Sequence, residues 1–190
     1  MATDTTLGPT QLYEQAVLNT RKIFAGVKPD QLANPTPCEK WNVRALMEHI
    51  TGGIAMTAYS FDVSHLTNAE HQATKAGISL AQYDAAMNRA LGGISKPGAM
   101  DKMVRTPMGE MPGGNFLMVL FMDNLTHGWD LAKATGQDTD LPSHLVDACY
   151  ENFAPGFADL SKSGAFAPPL PVPPTADKQA KLLAGLGRKP

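Results

Sequence analysis

The 190-residue chain has only two cysteines, Cys38 and Cys149. They stand too far apart to suggest a disulfide framework or a thiolate metal knot, and a reducing cytoplasm is the expected compartment. Long hydrophobic runs are also missing. The most apolar stretch, residues 116–122, is far too short to cross a bilayer, and the opening MATDTTLGPT has no basic-then-apolar leader pattern, so no membrane is expected. An excess of one charge is absent too: the formal net charge is -2, and no basic run follows a phosphate backbone, which argues against nucleic acid as a partner. The ten methionines are dispersed as core fillers, not clustered as soft-metal ligands.

A hydrophobic content of 43% over this length supports one domain with a sizeable core. Leu12, Ala16, Ile23 and Val27 recur at helical spacing and predict a first helix over residues 10–27, closed by Lys28-Pro29. After the extended Asn34-Pro35-Thr36-Pro37-Cys38 segment, Asn42 is the expected N-cap of a second helix reaching residue 61. Its inward stripe reads Leu46, His49, Ile50, Gly53 and Met56. Capping boxes at Thr67 with Glu70 and Ser79 with Gln82 predict two shorter helices, the second ending near Gly92-Gly93. A small hairpin is expected around Pro107-Met108-Gly109. A long helix over 114–135 stops at Gly136, and a last main helix runs from Ser143 to about residue 160. The proline-rich tail, with Phe166, Leu170 and Val172, reads as a strap over the bundle, and Leu182, Leu183 and Leu186 give a final short helix something to bury. The expected organisation is a helical bundle over residues 1–165 with a strap and short helix over 166–190 docked on the same domain, and a four-helix bundle leads among all-α architectures.

The helix over 114–135 carries the chemistry. It is apolar on nearly every side, yet Asp123 shares a face with Phe116, Leu120, His127 and Leu131. A carboxylate directed inward is costly unless paired. Asp123 and His127 lie one turn apart on one face, and His49 sits on the apolar stripe of the second helix. If those helices are neighbours, two imidazoles and one carboxylate converge on one divalent metal and leave positions open for water or substrate. Zinc is the first choice, while the same ligand set suits non-haem iron, and nickel is a further candidate. The competing reading makes Asp123 and His127 a core or surface pair and His49 a core histidine bonded to a carbonyl.

Pro35-Thr36-Pro37-Cys38, Trp41-Asn42-Val43-Arg44, His49 and Gly52-Gly53 resemble the metal-binding domain of mycothiol-dependent maleylpyruvate isomerase, a group within the DinB/YfiT-like superfamily. Asp123-x-x-x-His127-x-Trp129-Asp130-Leu131-Ala132 followed by Thr135-Gly136-Gln137 resembles its second motif, and the segment from Phe166 to Gly187-Arg188 resembles the ending of a compact actinobacterial branch. The resemblance implies an up-down-down-up four-helix bundle whose metal is held by His49, Asp123 and His127. It also implies a low-molecular-weight thiol as cosubstrate and a transferase or isomerase acting on a small molecule. The family usually has glutamate where this chain has Asp123, and the isomerase carries an additional C-terminal domain where this chain has a short tail. A non-catalytic metal- or ligand-binding module and a metal-dependent hydrolase are the alternatives, and a second copy of the chain is a further candidate partner.

Around these ligands, Arg44 and Asp130 are expected as an ion pair orienting the ligand helices, with an exposed surface pair as the alternative. Trp41 and Trp129 are expected in the core or in a pocket wall. Gly52-Gly53 is expected to let two helix backbones approach, or to open the metal cavity. Cys38 stands near a helix N-terminus that would favour its thiolate, although a buried structural thiol is the leading expectation. His65, His71 and His144 are expected to face solvent.

Overall fold

A computed structural model of the chain describes residues 7–61, 78–106, 109–162 and 166–190. The capping box at Thr67 and Glu70, together with His65, His71, Pro107 and Met108, lies outside the described residues.

Helix α1 (Pro9–Ala25) starts on a proline, whose fixed φ suits the first helical position and whose missing N–H has no partner to lose there. Helix α2 (Val43–Phe61) is capped as expected, with Asn42 Oδ1 accepting the Ala45 N–H at 2.9 Å. Ser79 caps α3 (Leu80–Ile94) in a full capping box with Gln82. Strands β1 (Met103–Thr106) and β2 (Gly109–Pro112) form the expected antiparallel hairpin, with Thr106 opposite Gly109. Helix α4 (Gly113–Thr135) ends on Gly136 at φ +67, the left-handed C-cap for which glycine is suited.

Four helices close a ring: α1 packs on α4, α4 on α2, α2 on α3, and α3 back on α1. The fourth wall is thus α3, a 15-residue helix, and the segment after α4 lies outside the ring. That segment is not one helix to residue 160. It breaks into α5 (Ser143–Phe153), a 3-10 turn (Ala154–Gly156) and α6 (Phe157–Lys162). Pro155 has no N–H to donate back along the helix, and Gly156 lowers helix propensity further. The final helix α7 (Lys178–Gly185) packs on α5 and buries Leu182 and Leu183, with Leu186 buried just beyond its end.

The core fills the ring with Leu12, Leu46, Ile50, Ile54, Phe116, Leu117, Phe121 and Leu125. On α2 the buried stripe is rotated from the expected one: Val43, Met47, Ile54 and Ala58 join Leu46 and Ile50, while His49, Gly53 and Met56 move to its edge. The fold is the expected all-α bundle with one small hairpin and a proline-rich C-terminal strap. No helix among the described residues is long and apolar enough to cross a membrane.

Candidate metal centre

The condition set by the sequence, that α2 and α4 be neighbours, is met. His49 at the edge of α2 faces Asp123 and His127 on α4, and one ligand atom from each of the three lies within 4.8 Å of the others. His49 Nε2 stands 3.5 Å from Asp123 Oδ2, and His127 Nε2 stands 3.4 Å from Asp123 Oδ1. Both separations exceed the ~2.7–3.2 Å of a sound N–H···O bond. Each is close to the roughly 3.4 Å between neighbouring ligand atoms on a metal with bonds of about 2.0–2.1 Å, one histidine facing each carboxylate oxygen. His49 Nε2 is buried and has no hydrogen-bond partner among the described residues. A buried ring nitrogen without a partner is costly, and a metal ion would satisfy it.

The histidines are held from behind. His127 is 4% exposed, and its Nδ1 lies 2.9 Å from Asp130 Oδ2. In the neutral ring, Nδ1–H donates to Asp130 and Nε2 keeps its lone pair for the site, the tautomer a metal ligand requires. Trp41 stacks on His49 with ring centroids 4.3 Å apart and planes inclined by 29°. That tryptophan is placed by a laced loop. Thr36 Oγ1 donates to the Trp41 carbonyl at 2.8 Å, Gln31 Nε2 and Asn34 Nδ2 donate to the Thr135 and Ala134 carbonyls at the end of α4, and Pro35 bridges Asn42.

Charge is shared across the triad. Burial disfavours the Asp123 carboxylate, but the imidazoles, His127 foremost, outweigh it and hold the carboxyl well below the usual carboxylate range. Burial likewise opposes the His127 imidazolium, yet Asp123 and then Asp130 push its pKa up to about 9. With no ion bound, the two carboxylates flanking the ring thus favour the protonated imidazole of His127.

Arg44 is exposed, and Asp130 is paired elsewhere. Its partner is Arg188 of the C-terminal tail, whose Nη2 lies 2.9 Å from Asp130 Oδ2 and whose Nε lies 3.3 Å from Oδ1. The expected Arg44–Asp130 pair is therefore corrected: Arg44 in the first turn of α2 leaves its side chain in solvent, and the tail brings the counter-charge inward. No spacing rule marks Arg188. The available signal is chemical: a buried aspartate needs a cation, and Gly187-Arg188 directly follows a cluster of leucines that anchors the tail.

Trp129 is 2% exposed and belongs to the core, with Lys133 Nζ 4.6 Å from its ring centroid, while Trp41 lines the pocket. A Cβ on Gly52 would meet nothing within 4 Å, and one on Gly53 would meet only Asp123 Oδ2 at 3.9 Å. The pair does not admit a close backbone. Close approach occurs instead at Gly128, beside His127, where a Cβ would meet Thr20 Oγ1 of α1 at 2.5 Å. Burial pushes the Cys38 thiol above its ordinary pKa against the pull of Arg188, so the thiolate is not favoured. His144 is exposed and bonded to Gln15.

The triad opens into a cavity of about 960 Å³. Its lining includes the loop over residues 37–41 and, from the tail, Phe166, Pro168, Leu170, Gly187 and Arg188. The volume suits a small molecule, and around the triad the lining mixes apolar side chains with Glu39, Lys40, Lys133 and Lys189.

Residues 13–132 match the family model of the mycothiol maleylpyruvate isomerase N-terminal domain. Over 186 residues the chain is 34% identical to an uncharacterized protein of Mycobacterium tuberculosis strain CDC 1551 / Oshkosh, covering 96% of this chain and 98% of the relative. An uncharacterized protein of strain ATCC 25618 / H37Rv matches with the same identity and coverage. No solved structure matches the chain. The family match takes in α2 and the turn of α4 that carries Asp123 and His127, whereas the similarity to the mycobacterial proteins extends over nearly the whole chain. The chain belongs to the family of the mycothiol maleylpyruvate isomerase N-terminal domain.

Proposed function

We propose that the chain binds one divalent metal ion, zinc first and nickel or iron next, through His49 Nε2, Asp123 and His127 Nε2. We further propose that it uses the ion to activate the thiol of a small cosubstrate in a transfer or isomerisation. The observation that carries the reading is the buried His49 Nε2, without a hydrogen-bond partner among the described residues, converging with His127 Nε2 on the two oxygens of Asp123 at 3.5 and 3.4 Å. The family description supplies the mycothiol-type thiol.

When bound, such an ion lowers the pKa of a coordinated thiol or water and leaves a nucleophile at neutral pH. The chain's own residues do the rest. Asp130 accepts the hydrogen bond of His127 Nδ1–H and leaves Nε2 free, and Trp41 fixes the plane of the His49 ring. Trp41, Phe166 and Leu170 offer apolar surface to the carbon skeleton of a small molecule, and Lys40 and Lys189 bring positive charge to the same cavity. Bundle and tail are proposed to act as one domain, because both supply walls to that cavity.

The test is turnover of thiol conjugates by protein carrying its metal and by protein stripped with a chelator. Thiol-dependent turnover that vanishes on stripping and returns with added ion supports the reading. Full metal occupancy without turnover would make the chain a binding module. Hydrolysis independent of thiol would make it a metal-dependent hydrolase.

A further inference from the structure

Asp130 is completely buried, and both of its oxygens are engaged: Oδ2 by His127 Nδ1 and Arg188 Nη2, Oδ1 by Arg188 Nε. The remaining nitrogen of the fork, Nη1, donates to the Leu186 carbonyl at 2.7 Å, so the guanidinium is fixed from both ends. The tail around it is shaped for delivery. Leu182, Leu183 and Leu186 are buried, and the Arg188 N–H closes a turn on the Leu183 carbonyl at 2.8 Å. That turn passes through Gly187 at φ +79, where a Cβ would stand 2.5 Å from the Ala167 Cβ. A side chain there would meet both backbone strain and a clash, so glycine is required for the chain to reverse and send Arg188 inward.

Resting on the proposed metal site, we infer that Arg188 is a positioning residue for that site and that metal binding is coupled to docking of the C-terminal tail. The two-pronged fork sets the plane of the Asp130 carboxylate, which a single hydrogen bond from His127 cannot do. The carboxylate plane in turn aims the His127 ring and keeps its Nε2 toward Asp123. The tail also walls the cavity through Phe166, Leu170 and Arg188, so the segment that closes the pocket also tunes the ligand. Coupling is reciprocal: whatever factor the docked tail adds to metal affinity, bound metal returns as protection of the tail.

The experiment measures zinc affinity by chelator competition for the full-length chain and for Arg188→Ala and Arg188→Lys, with far-UV circular dichroism as the folding control. Loss of the group that bonds a ligating histidine weakens metal binding by about 10–100-fold, and loss of Arg188, one step behind Asp130, is expected to act at the lower end of about 10-fold. That weakening is expected for Arg188→Ala, with partial rescue by lysine, which keeps the charge but not the fork. The cobalt(II) spectrum at saturation should also shift in Arg188→Ala, because the His127 ring is released. In the unsubstituted chain, zinc should slow hydrogen exchange across residues 183–189, a readout that stands even if Arg188→Ala fails to fold. Unchanged affinity and spectrum in the folded variants, or no zinc effect on tail exchange, would overturn the coupling while leaving the metal site intact. Failure of the unsubstituted chain to bind zinc, cobalt or nickel would overturn the metal reading itself.

Discussion

Gly128 is where the bundle can be tested most sharply by one atom. It follows His127 on α4, and an added Cβ would stand 2.5 Å from Thr20 Oγ1, 3.4 Å from its Cβ and 3.5 Å from its Cγ2. Thr20 is fully buried on α1, and its hydroxyl donates to the Asn124 carbonyl at 3.3 Å. Gly128→Ala gains about 0.8–1.0 kcal/mol from helix propensity. Against that stands overpacking, which costs about 1–3 kcal/mol when a methyl is forced into a filled core. Rotating Thr20 to relieve it would forfeit a hydrogen bond worth about 0.5–1.5 kcal/mol and turn a methyl into the same space. The net expectation is a loss of about 1–2 kcal/mol, or roughly 2–8 °C in Tm for a domain of this size. Urea unfolding of Gly128→Ala, Thr20→Ala and the double variant measures it. Thr20→Ala should cost stability in the original chain and little or none in the Gly128→Ala background, a coupling of about 0.5–3 kcal/mol. A Gly128→Ala protein as stable as the parent, or more so, would refute the close α1–α4 contact behind His127.

Gly52 gives the opposite sign. It is exposed within α2 with open space around it among the described residues, so Gly52→Ala should raise stability by up to about 1 kcal/mol in urea unfolding, and a loss would show an unrecognised contact. In metal-free protein the His127 pKa, raised to about 9, lies above its ordinary 6.5. The protonated ring therefore stabilises the fold fully below about pH 6.5, and that contribution is lost as pH rises through about 9. Melting of stripped protein should fall across this window, and zinc, which takes the proton's place, should flatten the dependence. A stripped protein whose Tm is level across that window would contradict the imidazolium between the carboxylates.

Helical periodicity and end signals made most of the elements legible. Asn42, Ser79 with Gln82 and Gly136 mark ends that the structure keeps, because caps are local chemistry. The convergence of three candidate residues was legible too: Asp123 and His127 are one turn apart on an apolar helix, and the spacing of His49 along the second helix turns it toward them. What local pattern cannot carry is the pairing of distant segments. Arg188 reaches Asp130 across 58 residues of chain, and Arg44 is as good a counter-charge by composition. The length of the segment after α4 is misjudged by periodicity, which runs through Pro155 although the backbone cannot. The glycines divide the same way. Gly52-Gly53 looks like a contact motif and meets almost nothing, while Gly128 is crowded by a residue on another helix.

The most direct measurement is elemental analysis of untagged, purified protein beside its His49→Ala, Asp123→Ala and His127→Ala variants. The proposed site gives about one divalent ion per chain in the parent and a loss of that ion in each folded variant. Retention of the ion by folded His127→Ala protein, or a parent chain that takes up no divalent ion from a chelator-buffered solution, would contradict it.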